Sequence, residues 1–186
     1  MKKIILLGSI ALATLVFVGC GGNESVETIN IEKESIEHLL EEYEDCQSSA
    51  ESAMDCKDFT AKAISKYYGV EDLMVEGKYI DYNEIYEYIS SSSAWRNMGD
   101  VDEQSVLDEA QKLANEGVPV IAINTDDENS FTVLIVAGEQ ASSSKWGVKV
   151  PVCAAFFPKN GPEPFINKTL NYAWGDADGI EIWVRN

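Results

Sequence analysis

Histidine is almost missing from this chain: 186 residues include one, His38. One imidazole and a few scattered cysteines exclude the usual zinc ligand patterns. Basic residues are also scarce, 14 lysines and arginines against 32 aspartates and glutamates, giving a net charge of −18. A surface of that sign repels phosphate backbones and anionic lipid, so nucleic acid is excluded as a partner. What remains is a solvated acidic surface, or one that suits a cationic peptide or protein. There is no internal repeat, and no biased stretch beyond residues 21–31 and the serines at 90–93. No cofactor motif is present. Asp176-Ala-Asp178-Gly179 lacks the spacing and terminal glutamate of a calcium loop. Asn167-Lys-Thr169 is formally a glycosylation sequon, without weight if the chain is bacterial.

The one long apolar run is at the N-terminus and is too short to span a bilayer, which takes about 20 residues. Lys2 and Lys3 precede it, residues 4–18 are almost wholly apolar, and it ends Phe17-Val18-Gly19-Cys20. This is the layout of a secretory signal. Small residues before a cysteine resemble the bacterial lipobox, which implies removal of residues 1–19 and acylation of Cys20. Residues 20–31 then read as the lipidated cysteine and a flexible polar tether. The chain is expected to be exported and held by the Cys20 acyl anchor on the periplasmic or cell-surface side of a bacterial membrane. Residues 32–186 are long enough for one domain. With Cys20 acylated, Cys46, Cys56 and Cys153 form an odd set in an oxidising compartment. Either one is free or all three are, and the three pairings stay open. A Cys46–Cys56 bridge would remove any thiol chemistry at Cys56.

Periodicity divides the chain into helices first and strands afterwards. Residues 32–46 predict an acidic amphipathic helix with Ile36, Leu39, Leu40 and Tyr43 on one face. Residues 56–68 predict a second helix, capped by Asp55 and stopped by Gly69, with Phe59, Ala63, Ile64 and Tyr67 as its buried stripe. Residues 83–91 read as helical. So do 101–116, between an Asp100/Glu103 capping box and Gly117. Strands are expected at 118–124, 131–137, 148–157 (with Pro151 marking an edge or bulge) and 179–185. This order predicts an α+β domain, N-terminal helices packed on a mainly antiparallel sheet.

Cys56, at the first turn of a predicted helix, is the residue closest to chemistry. Unpaired amides and the helix dipole favour a thiolate there. The layout resembles a papain-like hydrolase, in which a later strand supplies a histidine and the next an orienting polar residue.

Several stretches look like the lipoprotein and effector branch of the CHAP and NlpC-type cell-wall amidases and peptidases. These are Asp-Cys-Lys-Asp-Phe at 55–59, Asn83 to Ile89 with the following Trp95, and Ala110 to Gly117 leading into Val120-Ile-Ala. Val136-Ala-Gly-Glu139 follows, then Ser144-Lys-Trp-Gly147 into Val150-Pro151, and Asn167 to Ala173. The resemblance implies a papain-like fold and, in active members, cleavage of amide bonds in peptidoglycan stem peptides. Cys56 then stands as the remnant nucleophile.

The departures from that pattern are at the partners of the nucleophile. Where the family carries Gly-His ahead of an apolar run, this chain has Ser130-Phe131, so Phe131 occupies the lost base position. The orienting position falls at Ala154 or Ala155, with Ala155 the preferred placement. A phenyl ring and a methyl group transfer no protons, and members of such a triad act as a unit. His38, flanked by Glu37, Glu41 and Glu42, reads as a solvated helix residue, and Asp126–Glu128 as a solvated turn. Trp95 and Trp146 are candidate groove-lining residues, or core packing. The expectation is a degenerate, non-catalytic member binding peptidoglycan peptide or an envelope protein. The alternatives are an active amidase using Cys56 with an unusual base, and an immunity or interaction lipoprotein.

Overall fold

The computed structural model describes residues 31–51, 55–126, 130–158 and 163–186. The signal segment, Cys20 and most of the tether lie outside the described residues. Among the described residues no helix is long and apolar enough to cross a membrane.

The first helix, α1 (Ile36–Ser49), starts later than its periodicity suggests because Ser35 caps it, accepting from the His38 amide at 3.2 Å. It buries Ile36, Leu39 and Tyr43. The second, α2 (Phe59–Tyr68), ends as expected at Gly69, whose φ of 71° lets its amide reach the Ser65 carbonyl. Its start differs from expectation: residues 55–58 form a turn, so Cys56 lies just outside the helix. A hairpin of β1 (Met74–Val75) and β2 (Lys78–Tyr79) follows, unforeseen in the sequence. A short 3-10 turn (Tyr82–Glu84) then leads into α3 (Ile85–Ser91).

Six strands build one antiparallel sheet: β3 (Trp95–Asp100), β4 (Val120–Asn124), β5 (Thr132–Ile135), β8 (Val152–Ala155), β9 (Phe165–Thr169) and β10 (Ile180–Arg185), with α4 (Gln104–Asn115) between β3 and β4 in the chain. A small hairpin, β6 (Ala141–Ser142) and β7 (Lys149–Val150), precedes β8, and Pro151 separates the two halves of the predicted 148–157 strand. Strand order is β3-β10-β4-β5-β8-β9, with every pairing antiparallel. β10 therefore lies inside the sheet, and Trp183, which alternation places opposite Ile182, is buried on the second face.

The sheet is covered on both sides. On one face Ile121, Ile123, Leu134, Val136, Ala154 and Phe156 pack against α1, α2 and α3. On the other, Val120, Ala122, Val133, Ile135, Cys153, Ala155 and Phe157 pack against α4. The continuous apolar runs of β4 and β5 follow from burial on both faces. The α+β class with helices at the N-terminus matches expectation.

Candidate functional site

The site is built at the entrance to α2. The turn at 55–58 is anchored twice. The Phe59 amide donates to the Cys56 carbonyl at 3.2 Å, and the Tyr82 amide donates to the Lys57 carbonyl at 2.8 Å. Lys57 Nζ also pairs with Asp81 Oδ2 at 2.6 Å, which raises the lysine pKa through that hydrogen bond. From the helix, the Thr60 hydroxyl donates to the Phe156 carbonyl at 2.8 Å. Across the gap, the Tyr43 hydroxyl donates to the Phe157 carbonyl. The rings of Tyr43, Phe59 and Phe156 pack around this junction with centroids 4.9–5.6 Å apart, Tyr43 edge-on to Phe156 and the other two pairs tilted. These contacts satisfy the carbonyls where β8 ends beneath the two helices.

Cys56 itself is buried, 5% exposed, and bonded to Cys46, with the two Cα atoms 6.2 Å apart. Of the three pairings that the sequence leaves open, Cys46–Cys56 is the one formed, and it removes thiol chemistry at Cys56. The bridge joins the last turns of α1 to the turn before α2, and a disulfide sulfur has no thiolate to offer. Cys153 is the free cysteine among the described residues. It is buried on the α4 side, where burial pushes its thiol pKa upward and disfavours the reactive anion. The odd cysteine is thus an apolar core residue.

Phe131 and Ala155 pack with the α4-side layer, whereas Cys56 belongs to the layer under α1 and α2. Phe131 stacks on Tyr82 at 5.8 Å and meets Phe157 edgewise at 5.3 Å. Strand parity accounts for the two layers: Leu134, Ala154 and Phe156 belong to the layer under α1, α2 and α3, and alternation puts Thr132 on the same side of β5. Thr132 is 2% exposed and its hydroxyl donates locally to the Ser130 carbonyl. The Leu134, Ala154 and Phe156 side chains transfer no protons.

The other sequence-derived candidates fall elsewhere. His38 Nδ1 lies 2.9 Å from Glu34 Oε2 on the exposed side of α1, with its side chain 56% exposed. Glu34 also meets Lys66, and Glu42 meets Lys62, so the helix edge is an ion-pair ladder between α1 and α2. Burial pushes the Glu34 carboxyl upward, but the hydrogen bonds from Lys66 and His38 outweigh it and hold the pKa below the ordinary value. Trp95 is buried in the α1–α3 layer and Trp146 packs on the α4 layer, so the two tryptophans do not share a groove. Asp126 is described, and its amide donates to the Asn124 side chain at 3.0 Å. Residues 127–129 of that turn lie outside the described residues.

What the α2 entrance does offer is a recess of about 500 Å³ lined by Asp55, Lys57, Asp58, Gly77, Lys78, Tyr79 and Asp81. Its size is that of a small-ligand or peptide site. Charges of both signs make it suited to recognition through hydrogen bonds and ion pairs. Asp81 and Tyr82, which hold the turn through Lys57, carry no signal in the sequence that would place them at this site. Only the ten-residue separation of Cys46 and Cys56 carried a usable signal. No family model matches the chain, and no curated protein matches it.

Proposed function

We propose that this protein is a non-catalytic binding module, carried at the cell envelope on a Cys20 lipid anchor, with a degenerate cysteine-amidase or peptidase fold. Its ligand is a peptidoglycan stem peptide or an envelope protein, held at the recess beside α2. One observation carries the reading: the Cys56 sulfur is tied to Cys46 and has no thiol to ionise, while the position at which the family pattern carries its base is Phe131. Without a thiolate and a base, the acyl-transfer chemistry of such folds has no first step. A shaped recess with fixed charged groups still binds.

A decisive assay sets wild-type and Cys56→Ala protein against purified cell-wall fragments, reading new amine ends by mass spectrometry. The expected result is no turnover by either, with co-sedimentation on sacculi lost in Asp58→Lys protein. Cys56-dependent turnover establishes the amidase alternative instead. The net charge of −18 favours a second reading, an interaction or immunity lipoprotein that covers a cationic partner. Capture of a basic envelope protein with no sacculus binding selects it.

A further inference from the structure

A second concavity lies between the β1–β2 hairpin and α3; the same hairpin also lines the α2 recess, through other residues. It encloses about 370 Å³ and is lined by Val75, Ile80, Glu84, Glu87, Tyr88 and Ser91. We infer that this groove is a docking site for a short segment of a partner protein that carries an aliphatic side chain flanked by lysine or arginine.

Spacing builds one wall. Positions 84, 87, 88 and 91 are separated by three, four and seven residues, which puts them on one face of the 3-10 turn and α3. The opposite face of that helix carries Ile85 and Ile89, fully buried, so the wall is fixed from behind. The hairpin makes the other wall. Its turn at Glu76 and Gly77 runs through positive φ, 51° and 77°, the geometry of a tight two-residue hairpin connection. The Ile80 amide then donates to the Leu73 carbonyl at 3.1 Å, closing the base of the hairpin. The groove is thus preformed, which lowers the entropic cost of binding.

Val75 is 48% exposed and is one of two large apolar side chains so exposed among the described residues. With Ile80 it forms an apolar floor that an aliphatic side chain covers. The rim is anionic. Residues 81–91 contain Asp81, Glu84 and Glu87 and no lysine, arginine or histidine. Lys57 neutralises Asp81, and the Glu84 carboxylate accepts from the Asp81 amide at 3.1 Å. Glu87 stands in no ion pair among the described residues. Lys78, opposite Val75 in the hairpin register, lines the other recess. A cation on the ligand therefore meets Glu84 and Glu87, and the Tyr88 ring offers a face for it. Phosphate, anionic lipid and a second copy of this chain are all repelled by the same field.

The test uses the exported chain, uniformly labelled with ¹⁵N, and two short probes: an acetylated Gly-Lys-Leu-Lys-Gly amide and its Glu-Leu-Glu counterpart. The lysine probe is expected to shift amide resonances of Val75, Ile80, Glu87, Tyr88 and Ser91. Glu87→Lys should weaken it about fivefold, and raised salt should do likewise. Val75→Asn should weaken it as well, with the rest of the spectrum unchanged because both side chains are exposed. Equal shifts from both probes, shifts confined to other surfaces, or indifference to Glu87→Lys and Val75→Asn would overturn the assignment. Concentration-dependent shifts of the same residues without probe would identify a second copy as the occupant and also overturn it. Binding at this groove is read independently of sacculus binding at the α2 recess.

Discussion

Reducing the Cys46–Cys56 bridge is the perturbation with the clearest magnitude. The two cysteines are ten residues apart. Closing a loop of that length removes about 9 cal/mol/K from the entropy of the unfolded chain, or about 2.7 kcal/mol at 25 °C in the chain-entropy account. That is a factor of about 100 in the folding equilibrium, and a large share of the 5–15 kcal/mol typical of a domain. In urea, with a slope of about 2 kcal/mol/M, the midpoint should fall by about 1.3 M when reductant is added. The slope itself should rise slightly, since the uncrosslinked unfolded chain exposes more surface. Cys46→Ala/Cys56→Ala protein should show a comparable midpoint and no further response to reductant. Without reductant, unfolded Cys20→Ser protein should titrate a single thiol, that of Cys153. Reduction should free a thiol at position 56 yet bring no turnover of wall peptides, because Phe131 stands at the base position of the family pattern and supplies no base. A midpoint indifferent to reductant, or three titratable thiols in the unreduced chain, would refute the cross-link. Turnover on reduction would refute the argument that the base is missing.

Three further outcomes follow from particular contacts. Tyr68 is buried, and its hydroxyl donates to the carbonyls of Val120, at 3.3 Å, and Ile135. Tyr68→Phe should therefore cost about 1–2 kcal/mol in urea denaturation, by leaving acceptors at the start of β4 and the end of β5 without this donor. Gly179 adopts φ 67°, and a Cβ there would overlap the Asp126 carboxylate. Gly179→Ala should destabilise by at least about 1 kcal/mol, with amide shifts concentrated at Asp126 and the start of β10. Glu34 has a folded pKa held below its ordinary 4.5, so its contribution to stability is present above that value and is lost as the pH falls below it. Glu34→Gln should flatten the acid limb of a stability–pH curve measured by thermal unfolding, and an unchanged limb would contradict the ladder with Lys66 and His38.

Much of the fold is written in local chemistry. Gly69 and Gly117 end their helices because the left-handed backbone each adopts, with φ of 71° and 79°, suits glycine. The apolar runs at 120–124 and 132–135 declare strands buried on both faces. The edges were not legible. β3, Trp-Arg-Asn-Met-Gly-Asp, and β9, Phe-Ile-Asn-Lys-Thr, are polar and broken by turn-forming residues, and only pairing with β10 and β8 makes them strands. The same holds for the two-residue strands of the hairpins, too short to show a period.

By itself the sequence determined the α+β class with helices at the N-terminus, the acidic charge and the shortage of imidazole, since each is a property of composition or of neighbours along the chain; the strands β1, β2 and β3 that interrupt the helices were not legible. Only the tertiary structure decided that Cys46 is the partner of Cys56, that Phe131 and Ala155 sit with the α4 layer, and that Trp95 and Trp146 are divided by the sheet. The reason is geometric: a strand turns its side chains to alternate faces, so a displacement of one residue moves a group through the sheet, and a cysteine's partner is set by which helix ends converge in space.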